Sequence, residues 1–500
     1  MEKNPLTQSI LILHHTVFFV LLCVGTLDLA YASNDEVPRE AKEKTDLIDF
    51  VSRALVQNDQ SLDIRDALIS AELDKSAEEH KFKTELVPVA NIGASTSAGT
   101  LGMGLEARRN NEFGTEFTVG VVSKKVTSDN FTVDNSHNTR AFIRVSQGLL
   151  RRWGHEYNRL GLTVAELKQQ KADLDAHSTR QDLILSAVQA YYQAVLAGQL
   201  VVKTAQAQTR RKEHLEAARS RQSVGLVSMA DVYRAELALL DMETSLKDQQ
   251  RAYSLSIEDL YELLAVENTG TLVLDEEIEE ITPVIMADWE QKLLEYRPDW
   301  RAHVIDRQIT SHSQFKAERN LRPDLSLNLL LEQQGLGGNF ADTKDLNETN
   351  WSVSLQLDST LERFEQKTTV QRERLRARRL AREGQALKRR IHRDAQQAFE
   401  DLKAADRRHI VSGKRLVQAQ KGLELSRIRY NRGLSSNLEV LDSEIAFTNA
   451  ELDILRTLMD YNIAAVRLAH TLGILDLDWI KASMEPIEGE NTVNAEDTVG

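Results

Sequence analysis

The residues of this 500-residue chain that could do chemistry are dispersed. Its twelve histidines do not stand beside carboxylates at metal-ligand spacing. There is no glycine-rich phosphate loop and no nucleophile elbow, and Gly335–Gly338 reads as a loop joining two strands. The only cysteine, Cys23, falls in the first apolar run, so the exported chain is expected to have no disulfide and no thiol chemistry. Neither catalytic residues, a metal site nor a cofactor is expected. What remains is charge. Glu439 and Asp442 stand three apart, on one face of a helix, where they are either a paired acidic feature or ordinary solvated charges. The basic run Arg372–Arg390, RERLRARRLAREGQALKRR, has helical spacing and reads as solvated surface. A formal net charge of −14 argues against a nucleic-acid partner.

The elements that must position these groups are written twice. Arg221–Glu236, RQSVGLVSMADVYRAE, is echoed by Arg429–Glu444, RYNRGLSSNLEVLDSE, 208 positions later. At that offset, residues 215–264 give fourteen identities without a gap, among them Arg221/Arg429, Gly225/Gly433, Leu226/Leu434, Ser228/Ser436 and Glu236/Glu444. About three would be expected from ordinary residue frequencies. Repeats of this kind decide the architecture before any local motif does. Each copy places Gly-Leu between two long helix-forming runs, as the tip of a helical hairpin.

The seven prolines are Pro5, Pro38, Pro88, Pro283, Pro298, Pro323 and Pro486, leaving 89–282 and 324–485 free of them. Proline costs about 3 kcal/mol inside a helix, so these spans favour very long helices. At 28% charged and 41% apolar, the chain is neither a polytopic helical membrane protein nor a disordered one. Lys3, the apolar run Ile10–Leu22 and Ala30-Tyr31-Ala32 before Ser33 form a secretory signal over 1–32. An uncleaved anchor is the alternative, though the run is short for spanning.

In order, 46–82 reads as a helix, and 84–150 as a β hairpin segment with alternation at Phe117/Val119/Val121 and Ala141/Ile143/Val145. Residues 89–149 are more than one strand pair needs, so an extra hairpin or a long external loop is expected there. A long helix follows from about 160 to 222, then a tip near 225 and a return helix. Together 33–266 make the first structural repeat, and 267–299 an acidic joint. The second repeat, 300–476, has a helix (300–320), a β hairpin (323–358), a long helix (361–430), a tip near 433 and a return helix to about 474. An acidic tail occupies 477–500. The return helices carry a/d stripes, Val232, Ala235, Leu239, Met242 and Leu246, then Val440, Ser443, Phe447, Ala450 and Ile454, so each hairpin is expected to pack as an antiparallel coiled coil. Four strands cannot close a membrane barrel, for which the smallest number is eight. Open edges are not tolerated in lipid. Three chains sharing one barrel would supply about twelve strands, and their long helices would continue off one end as a tunnel.

With these residues in view, the chain resembles the TolC family of trimeric outer-membrane factors. The resemblance is carried by the duplicated tip, by RPDW and LRPDLSLNL within 297–329, by WSVSLQL at 351–357 and by RVSQGLLRRWG at 144–154. It implies a mainly α fold with a small β part, duplicated hairpins forming a trimeric α-barrel tunnel joined to a shared 12-stranded transmembrane β-barrel. It also implies placement in outer-membrane lipid with extension into the periplasm, and partners in a periplasmic adaptor (membrane fusion protein) and an inner-membrane pump, for efflux or type I secretion. A non-pore periplasmic coiled-coil protein is the alternative, and it has no need of alternating strands flanked by Trp153 and Trp351.

The resemblance also carries residue roles. Arg221, Val224, Gly225 and Leu226, with Arg429, Gly433 and Leu434, match the adaptor-binding tips; the glycines also simply turn the chain. Asp231, Tyr430, Glu439 and Asp442 match the gate and its acidic rings, which repeated threefold would favour cations. Ser435 stands where the family's lock has an arginine, so one closing bond is expected to be missing or replaced.

Overall fold

Where proline is missing, the chain forms its longest helices. The helices of eight residues or more are α1 (Leu47–Gln57), α2 (Asp59–His80), α3 (Leu160–Ser223), α4 (Met229–Leu263), α5 (Trp289–Tyr296), α6 (Pro298–Arg319), α7 (Phe364–Asn431), α8 (Asn437–Leu472) and α9 (Leu477–Met484). At 1.5 Å per residue the 64 residues of α3 and the 68 of α7 extend about 96 and 102 Å. The computed structural model describes residues 44–94, 98–128, 137–268, 272–275, 278–284 and 288–484. The expected signal over 1–32, with Cys23, and the tail beyond Met484 lie outside them.

The helix expected over 46–82 is two helices. Asn58 breaks it, because its side chain does two things a mid-helix residue cannot. Its Oδ1 accepts from the Gln60 N–H (2.8 Å), capping α2, and its Nδ2 donates to the Leu263 carbonyl (2.7 Å) at the end of α4. Segment 477–484, expected to begin the tail, is instead a helix whose Trp479 and Ile480 are buried in the main core.

The strands are β1 (Glu85–Ala94), β2 (Ala98–Asn110), β3 (Thr115–Ser128), β4 (His137–Gly148), β5 (Asp324–Gly337) and β6 (Glu348–Asp358). They form one six-stranded antiparallel meander in that order. The stretch 84–150, longer than one strand pair needs, holds two: of the extra hairpin and the long external loop expected there, the structure has the hairpin β1–β2. Its glycines, such as Gly102 and Gly104, interrupt an alternation (Leu101/Met103/Leu105) that is there all the same.

The register sorts the two faces. One row runs across all six strands as Leu86, Ala107, Val119, Ile143, Leu331 and Trp351. The next row, on the opposite face, runs Glu85, Arg108, Thr118, Arg144, Leu330 and Ser352. The apolar face is open: Leu86 is 69% exposed and Trp351 75%. On the polar face charges are paired, Arg108 with Glu106 (2.5 Å) and Arg140 with Glu332 (3.6 Å).

Beneath the sheet the helices form a layer. At the strand end the packing order is α2, α3, α6, α7; at the other end α4 packs on α3, and α8 lies against both α3 and α7. The main core sits midway, where α1, α3, α7, α8 and α9 meet the joint. Phe50, Ile184, Val188, Leu260, Ile281, Leu293, Ile391, Leu468 and Ile480 are all buried there. The acidic joint thus contributes to the core: the Ile281 N–H donates to Asn462 Oδ1 (2.9 Å), and Val273–Leu274 pairs in parallel with Lys44–Thr45. Toward the tips the packing thins to Leu215, Ala218, Val232 and Ala235. The expected stripes hold, with Val232, Ala235, Val440 and Ala450 buried between the helices.

Candidate functional site: the paired hairpin tips

Each long helix ends in the same turn. Gly225 has φ +77° and Gly433 φ +73°, the left-handed conformation glycine adopts without a Cβ penalty. In the first tip the Gly225 N–H donates to the Gln222 carbonyl (2.9 Å) and the Leu226 N–H to Arg221 (2.9 Å). The second tip repeats this, Gly433 to Tyr430 (3.0 Å) and Leu434 to Arg429 (2.9 Å). Ser228 and Ser436 then cap α4 and α8, accepting from the N–H groups of Asp231 and Glu439 (both 3.3 Å). The first cap is a full box, because Asp231 Oδ2 accepts in return from the Ser228 N–H (3.1 Å). Asp231 and Glu439 are therefore one repeat position, the third residue of each return helix.

The two copies spend that shared framework differently. In the first, Asp231 faces Arg234 (3.1 Å), and the Ser228 hydroxyl, followed by that guanidinium, holds its carboxyl below the usual carboxylate range. In the second, the position of Arg234 is taken by Asp442, which is exposed, and Glu439 takes an ion pair from Arg429 (3.4 Å) and a hydrogen bond from the Ser435 hydroxyl (2.6 Å). Ser435, the residue in place of an arginine, thus turns back onto its own chain. The first tip pairs its acid with Arg234; the second pairs Glu439 with Arg429 and sets a further acid, Asp442, where that arginine stood.

Arg221 ties the tips together. Its guanidinium lies 4.1 Å over the Tyr430 ring and donates to the Tyr430 carbonyl and to Asn431 Oδ1, each at 3.0 Å. Tyr430 is buried, and its hydroxyl has no hydrogen-bond partner among the described residues. Val224 (69%), Leu226 (75%) and Leu434 (65%) are exposed at the extremity, joined by Met229 and Leu438.

Behind the tips is a polar cluster that the sequence did not single out. Glu444 and Arg211, both almost fully buried, pair at 3.5 Å, and Arg427 reaches the other Glu444 oxygen at 2.8 Å. His214 donates to Asn437 Oδ1 and packs against Tyr430, while Asn437 Nδ2 donates to the Asp231 carbonyl (2.9 Å). Burial holds the His214 imidazole below its ordinary value, against the opposite pull of Glu444. One signal was available: Arg219/Glu236 and Arg427/Glu444 recur at the same spacing in both copies. In the first pair (3.2 Å) both partners are exposed, whereas in the second Glu444 is buried beneath a half-exposed Arg427, which only the packing of α3 on α8 decides. Among the described residues no group of histidine, cysteine and carboxylates could hold a metal ion, and no helix is long and apolar enough to cross a membrane.

Comparison with known proteins agrees with this architecture. Residues 289–474 match the model of the outer membrane efflux protein family. Among solved structures the chain is similar to the outer-membrane channel OprN (TM-score 0.66, 18% identity, covering 85% of this chain and 89% of that one). It is also similar to the outer membrane protein VceC of Vibrio cholerae (0.66, 15%, 85% and 96%) and to the CmeC outer membrane channel of Campylobacter jejuni (0.65, 15%, 88% and 89%). No curated protein gives a significant match. At these identities the structures speak for the fold, and the family match covers the second repeat. The resemblance to the TolC family read from the motifs stands on both.

Proposed function

We propose that this chain, with the fold of outer-membrane efflux channels and a family match over its second repeat, is the exit duct of a tripartite efflux or type I secretion system. It works as a homotrimer, its sheet in outer-membrane lipid and its helices reaching through the periplasm to a periplasmic adaptor and an inner-membrane pump. The observation that carries this reading is the sheet's open apolar face, continuous across every strand, above helices about 100 Å long. A non-pore coiled-coil protein would leave that face unexplained.

Each tip then has two surfaces. Val224, Leu226 and Leu434 offer exposed apolar side chains on turns whose Gly225 and Gly433 take a conformation other residues adopt only under strain, which suits docking into an adaptor groove. Arg221 holds the two turns at a fixed separation, and Arg429 is shared between the docking face and Glu439. Glu439 and Asp442, repeated by three copies, form stacked acidic rings that lower the energy of a cation and raise that of an anion at the entrance. Asp231 and Tyr430 belong to the same closure, with Tyr430 buried under Arg221 in the closed arrangement. Ser435, bonded to Glu439 within one chain, leaves the lock to the Arg429–Glu439 pair.

The test is single-channel conductance of the purified protein in planar bilayers, beside Glu439→Gln/Asp442→Asn. The expected result is a small cation-selective conductance that loses its selectivity in the double variant. A pore with unchanged selectivity would remove the acidic rings from the reading. Protein that forms no pore and does not enter membranes would remove the channel.

A further inference from the structure

The sheet has two free edges, β1 and β6, and in lipid both must be paired. We infer that each copy contributes six strands, β1 of one copy pairing with β6 of the next, so that three copies close an eighteen-stranded barrel. The number of copies rests on the proposed trimer; the six strands per copy rest on the sheet itself.

Four observations support the seam. The hairpin β1–β2 is no flap, since every residue of β1 is in register with β2 and all of β2 with β3. The apolar row passes through it without a break, with Leu86 as exposed as the lipid-facing residues of β3 to β6. β1 has ten residues and β6 eleven, and a tilted strand crosses the hydrocarbon with about 9–11. An even-numbered meander leaves β1 and β6 running in opposite directions, so the seam continues the antiparallel ladder. Pro88 has no N–H and removes one donor from β1; its neighbours keep theirs.

The helices point to the same closure. β1 follows α2, and β6 leads into α7, so the edges of the sheet continue into the outer members of the helical layer. One rotation therefore closes sheet and tunnel together. The widths also agree: six strands about 4.8 Å apart, tilted by roughly 40°, span about 38 Å, against roughly 40 Å for four packed helices. Four strands would span about 25 Å by the same reckoning.

The test uses the full-length chain exported in cells, with cysteine pairs placed on the polar face. Val89 and Val122 occupy one row, on β1 and β3. Val89→Cys combined with Ser352→Cys or Ser354→Cys is expected to give disulfide-linked dimers and trimers on oxidation. Linkage from Val122→Cys instead would mean that β3 is the seam and four strands per copy enter the barrel, overturning this inference and leaving the channel intact. No linkage, with the protein a monomer outside the membrane, would overturn both. Electron microscopy of the unsubstituted trimer in nanodiscs reads the same question without substitutions. The barrel is expected to be about one and a half times as wide as a twelve-stranded one, and twelve strands in the image would refute the seam.

Discussion

The duplication supplies a matched pair of ion pairs, and with it a controlled experiment. Glu444 and Glu236 occupy the same repeat position, and each bonds the arginine seventeen residues before it, Arg427 at 2.8 Å and Arg219 at 3.2 Å. Glu236 is 45% exposed, whereas Glu444 is 2% exposed and also faces Arg211, itself 4% exposed, at 3.5 Å. With an effective dielectric near 20, the Arg211–Glu444 attraction alone is about 5 kcal/mol before desolvation. Glu444→Ala leaves a buried guanidinium without its counter-charge, a change that costs about 3–5 kcal/mol. Glu236→Ala removes a surface pair worth about 0.2–1 kcal/mol. Hydrogen exchange across the first turns of α8 and α4 measures both. Protection in α8 should fall by roughly two to three and a half orders of magnitude in the first variant, at about 1.4 kcal/mol per tenfold, and that in α4 by less than about one order in the second. Equal losses in the two variants would refute the reasoning, because they would mean that burial of the pair makes no difference.

Other outcomes follow from the same geometry. His214 is held neutral by burial, so its contribution is present above the ordinary imidazole range of about 6.5 and lost as pH falls through the lower folded value; exchange at 437–444 should quicken on acidification to about pH 5, and His214→Gln should abolish that dependence. Ser228→Ala removes the cap of α4 and should cost about 1 kcal/mol, read as faster exchange at 229–232. Because Asp231 is held below the usual carboxylate range, the box stabilises above that range and weakens as pH falls through the depressed value, by an amount that salt should reduce at so exposed a site. Gly433→Ala meets no atom within 4 Å, so its cost is the backbone conformation alone, about 1 kcal/mol, measurable by thermal unfolding against Gly422→Ala, which is also in open space but helical and should stabilise.

The long helices and the tips were legible because they depend on local signals. Missing prolines mark α3 and α7, and the identical Arg, Gly-Leu and Ser of the two tips foretell identical turns and caps. The hairpin β1–β2 was legible only as length in excess of one strand pair, because Gly99, Gly102 and Gly104 leave part of β2 without the side chains that alternation is read from. Asn58 read as one polar residue in a helix, since its tie to Leu263 spans 205 positions. The polar cluster was hidden for the same reason: Arg211, Asn437 and Glu444 become a unit only when α3, α7 and α8 are laid side by side. Asp231 and Glu439 were noticed as acids, but their shared place as the third residue of a capped helix emerges from the backbone.

The position of the core has a mechanical consequence. The main apolar cluster grips α3 around Ile184–Val195, and from Val195 to Ser223 the helix runs on for about 42 Å, its buried apolar residues thinning through Leu196, Leu200 and Ala207 to Leu215 and Ala218. That stretch is a lever arm with its fulcrum inside the protein. A swing of about 5° at the fulcrum displaces the end by almost 4 Å, a distance comparable to the width of a water molecule and its contacts, while atoms near the pivot shift by fractions of an ångström and the core packing is preserved. Large travel at the far end is therefore compatible with a centre that scarcely repacks, and the resistance to that travel lies in the sparse apolar contacts and polar links along the arms.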